Sequence, residues 1–151
     1  MWRGRLPHWR ADDENYYVTF NHRRPLEDHE CRVLFAHLMR AQRSRLDYMV
    51  LVVVPEKTEM IFQVKKDSEG QEYELSDVIE KAKTKAGRQI IKASGEKWPP
   101  YSMESYDRIL RDDAEVEEFA TRIVKAPEEA GLCEISEEYD CLFWDQALDA
   151  D

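Results

Sequence analysis

The residues to test first for chemistry are the histidines His22, His29 and His37, because an imidazole can bind a metal or move a proton. Seven and eight residues separate them, whereas a zinc-binding pair on one helix stands four apart, so they read as ordinary surface or partly buried side chains. Cys31, Cys133 and Cys141 are odd in number and contain no CxxC pair. They fit unpaired thiols in a reducing compartment, and the expected location is cytoplasmic. Residues 1–10, MWRGRLPHWR, set Arg3, Arg5 and Arg10 among Trp9 and His8. This pattern suits an arm whose guanidinium groups meet phosphates while an indole stacks on an unpaired base. The alternative is a terminal segment with its aromatics tucked against the domain. Lys81, Lys85 and Arg88 form a second basic set, read either as a solvated helix face or as phosphate contacts.

Charge decides how seriously to take these basic groups. The chain of 151 residues carries a formal charge of −10, which argues against a polyanionic partner. Residues 112–151, however, hold 14 of the 32 acids and only Arg122 and Lys125 among the bases. The remaining 111 residues are therefore slightly basic, and a nucleic-acid surface there stays open. The acidic end is too negative to lie on a phosphate backbone, and it suits a basic protein partner.

The positioning elements follow from periodicity. Residues 48–54 are seven consecutive apolar residues, too few to span a bilayer and rich in β-branched types, which predicts a strand buried on both faces. Pro55 ends it, and residues 60–64 make the second strand of a hairpin at the core of the sheet. YYVTF, residues 16–20, predicts the first strand, and residues 27–44 an amphipathic helix. A second helix is predicted from a Ser76 cap to Ser94, closed by Gly95. Residues 101–111 fit a strand or a helical turn. A third helix starts at Asp112 or Asp113 and is expected to stop at Pro127, with Gly131 opening an acidic tail. The composition, 42% apolar, fits one domain over residues 1–151, with no signal peptide or membrane anchor. The expected class is α+β: a ferredoxin-like split βαβ, an antiparallel sheet with helices packed on one face.

Four segments together resemble the single-tyrosine transposases that act on repetitive extragenic palindromes (REP), relatives of the transposases with a His-hydrophobe-His motif. RGRLPHW (residues 3–9), followed by YYVTF, is similar to the family's opening. VLVVVPEKTEMIFQ (residues 50–63) resembles its strand-Met-Pro-Asn-His-x-His-strand segment. SYDRILRDDAEVEEF (residues 105–119) and KAPEEAGL (residues 125–132) resemble its later Asp-Arg-x-Ile-Arg region and its Asn-Asn-Pro turn. The resemblance implies a divalent ion, magnesium or manganese, held partly by two histidines, and a tyrosine that attacks single-stranded DNA.

Aligned through Pro55, the two histidines fall on Lys57 and Glu59. A protonated lysine has no lone pair for a metal, and Glu59 alone offers one carboxylate. Tyr106 is the candidate nucleophile position, with Ser105 standing where some relatives place the tyrosine and Tyr101 a weaker option. The family's paired asparagines are Lys125 and Ala126. The expectation is therefore a catalytically inactive, transposase-like protein binding hairpin or single-stranded DNA through Arg3, Arg5, His8, Trp9, Arg10, Lys81, Lys85 and Arg88, with no metal. The alternatives are an active, DNA-nicking transposase with rearranged ligands, such as Glu59 with His22 or Glu56, and a protein-interaction module using residues 112–151.

Overall fold

A computed structural model describes residues 14–145. The N-terminal arm, with Arg3, Arg5, His8, Trp9 and Arg10, lies outside the described residues, as do residues 146–151.

The chain runs β1 (Asn15–Asn21), α1 (Asp28–Met39), β2 (Leu46–Val53), β3 (Lys57–Val64), α2 (Leu75–Ser94), β4 (Tyr106–Leu110), α3 (Asp113–Glu129), a 3-10 turn (Ser136–Glu138) and β5 (Leu142–Trp144). The sheet order is β4-β1-β3-β2-β5, with every neighbouring pair antiparallel. The first four strands with α1 and α2 are the split βαβ expected from sequence. α1 and α2 cover one face, where Val18, Phe20, Leu51, Val53, Met60 and Phe62 meet Leu34, Leu38, Ala86 and Ile90. The third helix adds a layer beyond that expectation. α3 lies on the opposite face, where Val116, Ala120, Ile123 and Val124 bury Tyr17, Val50, Val52 and Ile61. The apolar run in β2 required such a layer, since a strand with no polar alternation must be covered on both sides.

Several boundaries differ from the sequence expectation for local reasons. α1 ends at Met39 rather than Ser44, and a tight turn follows in which Arg43 takes φ 66°. Its start is a capping box: Glu30 accepts from the Glu27 amide at 2.9 Å. α2 begins at Leu75 after Glu74, with no side-chain cap, while Gly95 closes it in the left-handed conformation at φ 78° as expected. Pro127 does not stop α3, which continues to Glu129. In the last turn the proline forfeits one backbone bond, and the Val124 carbonyl nearby accepts from Ser136 Oγ at 2.5 Å. The segment read as an acidic tail supplies β5, whose Leu142 pairs with Val52. Between Tyr48 and Val50 a bulge shifts the β2 register, so Met49 and Val50 both serve the α3 face.

Candidate functional site

Pro55 and Glu56 form a two-residue hairpin turn, closed by reciprocal bonds between Val54 and Lys57 at 3.0 and 3.3 Å. Because β3 begins at Lys57, the period of two turns Lys57, Glu59 and Ile61 toward one face. It is the α3 face, since Ile61 belongs to that core. Register carries the same face outward: Glu59 lies opposite Thr19 of β1, and Thr19 lies opposite Tyr106 of β4. Tyr106 therefore shares a face with Lys57 and Glu59, two strand spacings away from Glu59, or about 10 Å. Its side chain is exposed on the edge strand, with its ring centroid 6.5 Å from that of Tyr17.

Glu59 is the centre of this surface. Its carboxylate is 2% exposed and receives three groups. Tyr17 donates its hydroxyl to Oε2 at 2.5 Å, Lys57 Nζ stands 3.1 Å from Oε1, and Arg122 of α3 approaches Oε2 at 3.8 Å. The Lys57 contact is an ion pair without hydrogen-bond alignment, so Oε1 remains a buried acceptor with no hydrogen-bond partner among the described residues. Burial and the bond to Glu59 push the Tyr17 phenol up to about 12, so it stays a donor at neutral pH. Phe119 seats the cluster: its ring packs edge-on to Tyr17 at 4.8 Å, with the Arg122 guanidinium 4.5 Å from its centroid.

This donor set does not fit a divalent ion. The lone carboxylate is already neutralised by an ammonium and a guanidinium, and a cation would have to displace both. No three His, Cys, Asp or Glu residues gather in a metal-binding group among the described residues. Pairing Glu59 with His22 fails on geometry. His22 lies on the α1/α2 face beside Phe20 and Tyr101, its Nδ1 2.7 Å from the Pro55 carbonyl and its Nε2 2.9 Å from Thr58 Oγ1. Burial lowers its basicity. Glu56 is exposed in the turn.

The other candidates are dispersed. Tyr101 is buried in the α1/α2 core, where its hydroxyl donates to the Lys83 carbonyl at 2.9 Å, so it is a packing residue. Ser105 Oγ lies 3.1 Å from the ammonium of Lys83. Lys81, Lys85 and Arg88 are exposed on α2, across the sheet from Lys57 and Glu59. Several acids of residues 112–145 have structural roles. Asp112 caps α3 through the Glu115 amide at 2.8 Å, Glu115 pairs with Arg108, and Glu128 accepts from the Ser136 amide at 2.9 Å.

Sequence reading missed Tyr17 and Arg122. Tyr17 was counted only as a strand residue, although β1 alternation with Val18 could have separated the two faces. Arg122 carried a sharper signal, being one of two bases in an otherwise acidic segment.

No family model matches the chain, and no curated protein matches it. Solved structures do. A REP-associated tyrosine transposase bound to a REP hairpin superposes with a TM-score of 0.62 at 15% identity, over 91% of this chain and 82% of that one. A protein from Deinococcus radiodurans R1, provisionally described as a transposase, superposes with a TM-score of 0.50 at 11% identity, over 78% of this chain and 96% of that one. At these identities the likeness is one of fold and transfers no residue's role to Lys57, Glu59 or Tyr106. The chain has the fold of the single-tyrosine transposases.

Proposed function

We propose that this protein binds hairpin or single-stranded DNA and does not cut it. The observation that carries the second half is the closed ion cluster: Glu59 is held by Tyr17, Lys57 and Arg122 where a nicking enzyme would need an open cation site. With Glu59 closed by these groups, the surface offers no open position for a Lewis acid to polarise a scissile phosphate when a hydroxyl attacks it. Tyr106, on the exposed edge strand, has no hydrogen-bonded base to activate it among the described residues. The DNA half is supported by the superposable transposase bound to a REP hairpin and by exposed cations on both sides of the sheet. On the α3 face, the side chains of Lys57 and Arg122 are 41% and 49% exposed, so each can face a phosphate while neutralising Glu59 from behind. On the helix-layer face, Lys81, Lys85 and Arg88 serve as phosphate contacts, and Arg3, Arg5, His8, Trp9 and Arg10 contribute further contacts to the DNA.

The test is binding of a labelled palindromic hairpin with a single-stranded tail at two salt concentrations, with and without manganese. Binding that weakens with salt, is indifferent to manganese and leaves no covalent adduct is the expected result. A labelled strand covalently captured by the protein and lost in Tyr106→Phe refutes the inactive reading. Absence of binding even at low salt refutes the DNA reading.

A further inference from the structure

One buried titratable group has no role in DNA binding. Lys83 has no exposed surface, its ammonium lies 3.9 Å from the centroid of the Phe20 ring, and no carboxylate stands within 4.0 Å of it among the described residues. A buried cation without a counter-charge destabilises a fold, and local conflicts of that kind collect at functional sites. Its polar contacts name the chemistry. Nζ lies 3.1 Å from the Glu104 carbonyl oxygen and 3.1 Å from Ser105 Oγ. As a neutral amine, Lys83 donates to the carbonyl and keeps one lone pair, which accepts from the Ser105 hydroxyl.

The serine faces open space. Ser105 is exposed and lines a cavity of about 600 Å³, with Val18 of β1, Ile79 of α2 and Met103 as its apolar wall, across the sheet from Glu59. The amine thus sits behind the hydroxyl, out of water, and the hydroxyl sits in front of it, open to a substrate. A serine nucleophile and its base require that order. Leu75 and Ser76, at the start of α2, border the same cavity. No side chain caps this helix, and its first backbone bond runs from the Val78 amide to the Glu74 carbonyl at 3.2 Å, so the Leu75, Ser76 and Asp77 amides have no acceptor among the described residues. Free amides of this kind are donors to an oxygen that gains negative charge. The rest of the lining is acidic: Glu74, Glu80, Glu104 and Asp107. Four carboxylates repel a phosphodiester and attract a cation, so the cavity is not a second DNA site.

We propose that Ser105 and Lys83 are the nucleophile and general base of an acyl-transfer site, acting on small carboxylic esters that carry a positive charge. The proposal goes beyond the DNA-binding reading and does not rest on it. Ser105 Oγ attacks the ester carbonyl carbon, its proton passes to Lys83 Nζ, and the bond to the alcohol oxygen breaks as that oxygen takes the proton. Water then attacks the acyl-serine and gives a proton to Nζ, which returns it to Ser105 Oγ as the acid leaves. Ester and water become acid and alcohol. The first step needs Lys83 neutral. Burial lowers its pKa from 10.5 to about 8, against the opposing field of Glu80 on the same helix. The other titratable side chains beside it, His22 and Tyr101, are both pushed by burial toward their uncharged forms.

The experiment incubates the full chain between pH 6 and 9 with three nitrophenyl esters, one neutral, one bearing a trimethylammonium group and one bearing a carboxylate. Nitrophenolate release above buffer hydrolysis is followed, and the acylated residue is located by peptide mass spectrometry. Acylation of Ser105 is expected, with a rate that rises with pH through about 8 and favours the cationic ester over the anionic one about tenfold. Ser105→Ala and Lys83→Met, each checked by thermal unfolding, are expected to lower kcat/KM about a hundredfold, and Lys83→Met to lose the rise with pH as well. Ser102→Ala is expected to match the wild type, and all three variants to bind hairpin DNA as the wild type does. Release that Ser105→Ala leaves unchanged, or the absence of acylation at Ser105 with every ester, overturns the proposal. Acylation of Ser105 that is equally fast in Lys83→Met at pH 8 removes the base and overturns it too.

Discussion

Lys83 offers the most quantitative test of the packing described here. It sits on α2 with no exposed surface, its ammonium 3.9 Å from the centroid of the Phe20 ring and 3.1 Å from both the Glu104 carbonyl and Ser105 Oγ. No carboxylate is within 4.0 Å of it among the described residues, and desolvation lowers its pKa from 10.5 to about 8. Below pH 8 the group is protonated folded and unfolded, so the fold bears the whole cost of the buried charge. Between pH 8 and 10.5 the unfolded chain binds more protons than the folded one, and stability must rise with pH. At about 1.4 kcal/mol per pH unit, the full rise attributable to Lys83 is about 3 kcal/mol.

Lys83→Met keeps the unbranched stem and removes the charge, while the exposed Glu104 and Ser105 can exchange their lost partner for water. The variant should be more stable than the wild type at pH 7 by about 2 kcal/mol, or about 4–8 °C in Tm for a chain of this size. The gap should close by pH 10.5. Cys31 and Cys141, raised by burial to about 11 and about 12, reduce stability above pH 9, but they do so in both proteins and cancel in the difference. Urea unfolding of the pair at pH 7, 8, 9 and 10.5 reads it directly. A gap constant over that range, or a variant less stable at pH 7, would show that Lys83 is a favourable anchor and refute the reasoning.

The other predictions concern the ion cluster and two packing points. Lys57→Ala should cost about 1 kcal/mol, well below the usual penalty for breaking a buried pair because the lysine is 41% exposed and Arg122 and Tyr17 remain; calorimetry of the variant measures it. Manganese at millimolar concentration should not move the Tm of the wild type, and a rise of several degrees would mean that the carboxylate accepts a metal after all. Gly87→Ala places a methyl 3.0 Å from Pro99 Cγ and 3.2 Å from its Cβ; overpacking should outweigh the better helix propensity and leave a net loss of about 1 kcal/mol in chemical denaturation. Glu30, held below the usual carboxylate range by Arg24, contributes stability present above pH 4.5 and lost as pH falls through its folded value, so Glu30→Gln should flatten the acid limb of the stability curve.

How much was legible in sequence depends on whether the determining contacts were local. β1, the β2–β3 hairpin, α2 and the Gly95 stop follow from alternation, helical spacing and one left-handed glycine, all of which act within a few residues. β5 did not, because three residues, Leu142 to Trp144, form a strand only by pairing with β2 some ninety residues earlier. The end of α1 was misplaced for a related reason: after Met39 the chain enters a turn that buries Ala41 against the α1/α2 core, and burial by tertiary contact imitates helical periodicity.

The site divides along the same line. That Lys57 and Glu59 cannot grip a metal as two imidazoles would is a statement about donor atoms, and sequence sufficed for it. That the pair is a finished structure, and not a vacancy, required α3 to bring Arg122 from sixty-three positions away and β1 to bring the Tyr17 hydroxyl. The difference matters for how such a fold persists. A buried carboxylate without a counter-charge would cost several kcal/mol, enough to threaten a domain of ordinary stability. The Lys57 ammonium and the Arg122 guanidinium remove that cost from within the chain, so the burial of Glu59 needs no bound ion.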